Sequence, residues 1–555
     1  MGAALDADRA EVTGLRRWLL PAGPLLFLAV VLVAPVLRLL AEGLAPSVDA
    51  GPLRWLEVWQ DDFLRWRVLW SLAQAAITVG LSLLLGLPMA WVLARLDFPG
   101  RTLVLRLLML PFVVPTLVAA LGVLALWGPR GVVGAPLAEA GIELVDTPWL
   151  LLYGNLFFNL CVVVRAGVNA LEQVSAVRLA AARTLGATPW RAFWRVEWPA
   201  IAPWLASALC LVFLYCFAGF GLALVLGGQR YATVEVEIYT LVAHELALGQ
   251  ASVLAVWMLG LTSLVALGHA AIERRLAAPG RITPVLRRRP QGTGQWAALW
   301  LAMALLALIC AAPLLAIFWR AAQALLAGQG VDVLTGAPTR QALWNTLRFS
   351  GLALAVATAL GVLHALGVRA LDAAVPAHCA RRLPVALALV WRAAAFLPWV
   401  VSAVTVAFGL LLLYPQASAS LALLIAAYVL MAYPFVAQPI TAALDSMPTS
   451  LAQAAATLGA RPLRVFWRVT LPLVAPALRR GMAFAAATAL GEFAATLFLG
   501  RPEWTTLTTL MYQHLGRPGQ AHLDAAWVLA ALLMLLALLA FTLIEGRPRQ
   551  KEHHA

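Results

Sequence analysis

Apolar runs of about 20 residues, the length that crosses a bilayer as a helix, recur along this chain from one end to the other. Twelve are read, at roughly 18–40, 70–94, 107–127, 149–164, 204–227, 251–272, 295–319, 346–368, 385–412, 418–437, 481–500 and 524–544. Lipid offers no water to the backbone, so each run must satisfy its own N–H and C=O groups, as a helix does. A β-barrel would need short segments of alternating polarity, and these are missing. The predicted fold class is an all-α integral membrane protein with twelve transmembrane helices. Composition agrees, since 63% hydrophobic and 12% charged residues among 555 leave too little polar surface for a soluble domain of this size. The first run is too long for a removed signal peptide, and no small-residue cleavage site follows it.

A net charge of +14 would suggest nucleic acid in a soluble protein. Its distribution points elsewhere. With twelve spans and the N-terminus inside, the cytoplasmic segments hold 28 of the 40 basic residues, the external loops 9 and the spans 3. The positive-inside rule therefore predicts both termini in the cytoplasm of a multi-pass inner-membrane protein. Lipid headgroups account for most of these arginines, and no nucleic-acid partner is expected.

An internal repeat organises the chain. AAARTLGATPWRAFWRVEWPAIAPWL begins at Ala180, and QAAATLGARPLRVFWRVTLPLVAPAL begins at Gln453. The two agree at 16 of 26 positions, and the interval between them is close to half the chain. The predicted architecture is two tandem six-span units forming a pseudo-dimer: 1–272, with the repeated loop at 165–203, and 295–555, with its copy at 438–480. An arginine-rich cytoplasmic linker at 273–294 joins them and carries Arg274, Arg275, Arg281, Arg287, Arg288 and Arg289.

The local physics of the repeated loop is legible. Ala181, Ala182 and Leu185 favour a helix, and Gly186 supplies the left-handed residue that commonly ends one. Thr188 can cap a second helix with Pro189 at its first position. Trp190, Phe193, Trp194 and Glu197 then share one face, Arg191 and Arg195 point elsewhere, and Pro199 is expected to stop the helix before the fifth span. The second copy follows the same plan with Gly459, Pro462, Arg464, Phe466, Trp467, Arg468 and Pro472.

These loops resemble the "EAA" loop of binding-protein-dependent ABC importer permeases, with the pattern E-A-A, three residues, G, nine residues, I-x-L-P. The matching positions are Ala181, Ala182, Gly186, Val196, Trp198 and Pro199, and then Ala454, Ala455, Gly459, Val469, Leu471 and Pro472. The family's glutamate is absent, with Ala180 and Gln453 in its place. The resemblance implies that each loop is a coupling helix docking on an ATP-binding cassette, with Arg191 and Arg464 beside it. The fused arrangement resembles that of thiamine and ferric-iron permeases. CFAGFGLALVLGGQRYATVEVEIYTLV from Cys216, LGEFAATLFLG from Leu490, TLTTLMYQHLG from Thr506 and FNL at 158–160 look more like the thiamine type. Thiamine is thus the substrate that the resemblance implies, with ferric iron as the alternative.

The chain cannot hydrolyse ATP itself. A phosphate-binding loop needs Gly-Lys-Ser/Thr, and the one lysine, Lys551, lies between Gln550 and Glu552. ATP and Mg belong to a partner, two cassette subunits by the symmetry of the loops, and no cofactor is expected in this chain. External loops too short for a capture domain imply a periplasmic substrate-binding protein. The five cysteines form no CxxC pair and the eight histidines no HExxH, so no metal site and no catalytic residue is expected. Arg38, Arg348 and Arg392 are read as snorkelling near span ends or within the long run. Glu492 is the deep carboxylate and could border the substrate path or serve helix packing.

An ion-coupled secondary carrier would also show repeats, but it needs titratable groups at the midplane, and the spans offer little beyond Glu492 with His269 and His364. A membrane enzyme would need a converging His, Asp, Glu or Cys cluster, and none emerges from the spacing. Topology is directly testable. Reporter fusions near Arg287 and Arg549 are expected to read cytoplasm, and one near Leu248 periplasm; a periplasmic signal from the linker would refute the arrangement.

Overall fold

The computed structural model describes residues 20–45, 54–273, 283, 285–374, 390–418 and 420–546. Among the described residues every named element is helical, and a single isolated bridge joins Leu96 to Arg288. Nine helices there are long and apolar enough to cross a membrane. A tenth crossing arises if Arg101–Val113 and Thr116–Trp127, bent by 106°, count as one span. Pro115 sits at that bend and cannot continue the preceding helix.

The expected run 107–127 is broken at that bend, and three further expected runs are built differently from the expectation. The helix serving 204–227 ends at Phe217, and Gly221–Leu226 forms a separate short helix. The run at 481–500 is likewise interrupted, with Leu471–Leu490 followed by Ala494–Leu499. The run at 385–412 begins outside the described residues and then breaks into Leu397–Val400 and Ala403–Leu413. There Ser402 caps the second piece by accepting from the Thr405 N–H at 3.0 Å, and Pro398 opens the first. Apolarity alone does not report such breaks, because a glycine, a proline or a serine cap ends a helix without making the run polar. Arg392 is consequently not a mid-span charge: it pairs with Asp372 at 2.6 Å and with Asp445.

The sequence repeat is a structural repeat. Ala176–Thr184, Pro189–Ala192, Phe193–Glu197, Trp198–Phe217 and Gly221–Leu226 recur as Thr449–Thr457, Pro462–Val465, Phe466–Thr470, Leu471–Leu490 and Ala494–Leu499. All five are displaced by the interval that separates Ala180 from Gln453. The starts of Val234–Ala243 and Leu507–Leu515 are separated by that interval as well. Each of these last helices is capped from a long apolar helix, by Ser71 of Asp62–Arg95 on the Val234 N–H and by Thr346 of Ala337–Ala374 on the Leu507 N–H, both at 2.9 Å. Two otherwise orphaned N-terminal donors are thereby satisfied.

The chain packs as two compact units. One gathers the described residues of Met1–Leu39, Ala337–Leu510 and Leu533–Ala555; the other gathers Leu40–Gly336 and Met511–Leu532. Each draws on both ends of the chain. Within each, small residues let long helices approach, the usual basis of helix packing in lipid. A Cβ on Gly86 would lie 2.9 Å from the Val163 Cγ1, and one on Gly361 would lie 2.7 Å from the Val436 Cγ1. Hydroxyls buried in the helices bond back to carbonyls one turn earlier, as Thr78 does to Gln74, Thr262 to Met258 and Thr441 to Ala437.

Gly361→Leu is expected to overpack this contact and lower stability by about 1–3 kcal/mol, read as a fall in the unfolding temperature of the detergent-solubilised chain. Val436→Ala in the same chain should recover part of the loss. An unchanged temperature for Gly361→Leu would show that the contact is not tight.

Candidate functional site: the repeated helical loops

In the first loop Ser175 caps Ala176–Thr184 by accepting from the Arg178 N–H at 3.4 Å. The helix then ends as the sequence predicts. Gly186 takes φ +79°, and Ala187 donates its N–H to the Ala182 carbonyl at 3.0 Å. Leu185 donates to the Ala181 carbonyl at 3.2 Å. The two matched alanines therefore supply the carbonyls that the turn closes on. The second loop repeats this, with Gly459 at φ +79°, Ala460 bonded to the Ala455 carbonyl at 3.1 Å and Leu458 to the Ala454 carbonyl at 3.2 Å. A Cβ at either glycine would meet nothing within 4 Å, so only the backbone angle demands glycine.

Thr188 accepts from the Arg191 N–H at 3.3 Å and opens the next helix at Pro189. This helix does not stop at Pro199. It continues from Pro189 to Phe217 as one 29-residue element, which corrects the sequence expectation. The cause is local. A proline inside a helix clashes with the carbonyl one turn earlier; for Pro199 that residue is Arg195, which lies in the widened π turn Phe193–Glu197. Pro472 is accommodated the same way by the π turn Phe466–Thr470. The wide turn relieves the ring and keeps the loop rigidly continuous with the apolar helix that follows.

It also rotates Glu197 off the aromatic face. Trp190 and Trp194 are exposed, 69% and 45%, whereas Glu197 is buried. The exposed rings pack on one another, Trp190 against Trp194 at 5.5 Å and Trp194 against Trp198 at 5.5 Å between centroids. Leu458, Leu463 and Trp467 are exposed apolar groups of the second loop. Arg191 and Arg464 are exposed beside these groups, and Pro199 and Pro472 lie on the exposed side of their helices.

Residues that sequence reasoning missed hold these loops in place. Glu172, at the end of Pro148–Glu172, accepts from Arg101 at 2.8 Å and from Arg287 at 2.9 Å. Asp445, at the matching place of the second copy, is the carboxylate that Arg392 grips. Extending the repeat alignment upstream of Ala180 as far as Glu172 would have found these two carboxylates. Arg95 reaches the buried Glu197 at 2.7 Å, and no sequence signal joins two positions so far apart in the chain.

Glu492 sits at the break between Leu471–Leu490 and Ala494–Leu499. It is buried, and its Oε1 accepts from the Ala495 N–H at 2.9 Å, capping the short helix. The Glu492 carbonyl accepts from Thr508 Oγ1 at 3.1 Å. The other unit carries its buried polar groups elsewhere. There Gln74 donates to the Cys216 carbonyl at 2.8 Å and accepts from Asn155 at 2.7 Å, and Arg67 pairs with Glu237 at 3.0 Å.

The chain is 29% identical over 545 residues to the thiamine transport system permease protein ThiP of Escherichia coli (strain K12), covering 96% of this chain and 97% of that one. The Salmonella typhimurium ThiP is 27% identical over 525 residues, covering 92% and 94%. The sulfate transport system permease protein CysW of a Synechocystis species is 31% identical over 255 residues, 45% of this chain and 90% of its own. A crystal structure of a bacterial ABC transporter involved in the import of the acidic polysaccharide alginate matches 50% of this chain and 100% of one of its own. At 20% identity and a TM-score of 0.39, that likeness carries no weight. The sequence pattern of the family described as "Binding-protein-dependent transport system inner membrane component" matches twice, over residues 82–278 and 373–547. With two copies of that unit in one polypeptide, the chain belongs to the binding-protein-dependent transport system inner membrane components, the permeases of ABC importers.

Proposed function

We propose that this chain is the transmembrane permease subunit of an ATP-driven thiamine importer, spanning the inner membrane twelve times with both termini in the cytoplasm. The first six-span unit is 1–272 and the second 295–555, with the linker 273–294 between them. The observation that carries thiamine is the end-to-end similarity to thiamine permeases, because matches confined to one half would support only the generic importer unit. The paired loops 165–203 and 438–480 support two cassette subunits. Each would seat its exposed apolar groups in a cassette, with Ala181, Ala182, Gly186 and Pro199, and Ala454, Ala455, Gly459 and Pro472, shaping the docking turn. Arg191 and Arg464 flank it. A periplasmic binding protein would deliver the substrate.

Thiamine is an organic cation, and fixed positive charge along its path would repel it. Glu492 is the proposed carboxylate bordering that path. Its Oε1 is committed to the Ala495 N–H. Glu492→Gln keeps an acceptor for that cap and removes only the charge.

Gly186→Val with Gly459→Val forces β-branched residues into the left-handed region, at about 1–2 kcal/mol each. The cost is confined to the docking turns, so near-normal expression is expected, with cassette co-purification reduced from two per chain and transport lost. Full transport by this double variant would overturn the docking assignment.

In a thiamine auxotroph without its own importer, the chain with its cassette and binding protein is expected to restore growth on scarce thiamine. Glu492→Gln should raise the KM for thiamine uptake while leaving expression unchanged. An unchanged KM would reduce Glu492 to a helix cap. Rescue of an iron-uptake mutant in place of the auxotroph would transfer the assignment to ferric iron.

A further inference from the structure

The two loops share backbone geometry but not their bracing. Glu197 follows the first docking helix directly and is buried, and it pairs with Arg95, the last residue of the 34-residue helix Asp62–Arg95. With side-chain exposures of 10% for Arg95 and 7% for Glu197, the pair is screened much less than an exposed one. At the equivalent place in the second loop stands Thr470, also buried and uncharged. The carboxylate strut is therefore peculiar to the first loop.

Arg95 is also tied to the linker. Its carbonyl accepts from the Arg288 N–H at 3.0 Å, and the Arg288 carbonyl accepts from the Asp97 N–H at 2.9 Å. The Thr283 carbonyl accepts from the Ala176 N–H at 3.0 Å, at the start of the loop's first helix. Arg287 shares Glu172 with Arg101. The end of the long helix, both ends of the first loop and the described part of the linker thus form one connected body. Simple packing would account for a buried pair between neighbouring helices. It would not require that the pair join the residue closing the docking helix to the residue ending a membrane-length helix, with the linker bonded to the same arginine.

We propose that Arg95 and Glu197 are a positioning pair, the strut through which the first cassette's movement drives the helix Asp62–Arg95, and that the second loop lacks this strut, so the two cassettes act unequally. This rests on the importer reading above. A displaced docking helix would pull on a charge-assisted, part-buried ion pair, which yields less readily than apolar side chains sliding past one another.

The test uses the full complex of chain, cassettes and binding protein in liposomes. A reporter cysteine replaces Asp62, which is exposed at the far end of the driven helix, in a background with Cys210 and Cys379 changed to serine. The unmodified loop is expected to show an ATP-dependent change in maleimide labelling of the reporter. Glu197→Gln, which keeps shape and one hydrogen bond, should still bind two cassettes and allow ATP hydrolysis, with the labelling change lost. The exchange Arg95→Glu with Glu197→Arg should restore it, a rescue that a packing role would not give to two reversed charges. Thr470→Val should leave it unchanged. Retention of the labelling change in Glu197→Gln, failure of the exchanged pair to restore it, or its absence from the unmodified loop would each overturn the strut. Failure of the unmodified chain to bind any cassette would overturn the importer reading itself, and is read separately from the co-purification.

Discussion

A backbone that runs through lipid must find partners for every N–H and C=O within the protein, and this requirement explains both the helices and their interruptions. The long apolar helices satisfy it internally. Where a helix stops short, side chains of the same unit supply what the backbone lacks. Ser71 and Thr346 serve the Val234 and Leu507 N–H groups, and Glu492 serves Ala495. Gln74 and Asn155 build a buried polar cluster on the Cys216 carbonyl close to another helix end. Some of the interior's polar residues thus serve helix breaks, and a broken helix is where a permease can offer polar groups to a substrate without exposing backbone to lipid.

The same requirement accounts for the proline in each repeated loop. A proline well inside a helix would normally kink it and leave a carbonyl unpaired. The π turns at Phe193–Glu197 and Phe466–Thr470 absorb the disruption, so loop segment and apolar helix stay continuous. A continuous helix can transmit displacement where a hinge would dissipate it. The left-handed Gly186 and Gly459 serve the opposite end of the segment, reversing the chain so that the exposed aromatic and aliphatic groups project outward.

Pseudo-symmetry in this chain is close in the backbone and looser in its charges. Elements recur at one constant interval, and Glu172 and Asp445 occupy matching places. Their partners differ, since Arg101 and Arg287 hold the first whereas Arg392 holds the second. Arg95 with Glu197, and Arg67 with Glu237, are ion pairs of one unit, where the residues matching Glu197 and Glu237 are Thr470 and Leu510 in the other. Fusing two copies in one polypeptide frees each half to change alone. Packing constrains the backbone of both halves alike, but an ion pair needs only its own two residues.

By itself the sequence determined the helical membrane class, the tandem repeat, the left-handed glycines and the Thr188 cap, because each depends on local composition or on a spacing within one turn. It overstated continuity at 107–127, 204–227, 385–412 and 481–500, where hydropathy averages over a proline, a glycine or a serine cap. It also misjudged Pro199, whose effect depends on the width of the turn before it. The tertiary structure alone decided which charges meet. Arg392 reads from sequence as a snorkelling charge in a long apolar run, and only the structure brings Asp372 and Asp445 beside it. Glu197 looked like part of an aromatic face until the wide turn carried it to Arg95. Such pairings are set by how distant helix ends are brought together, and neither residue type nor periodicity along one helix contains that information.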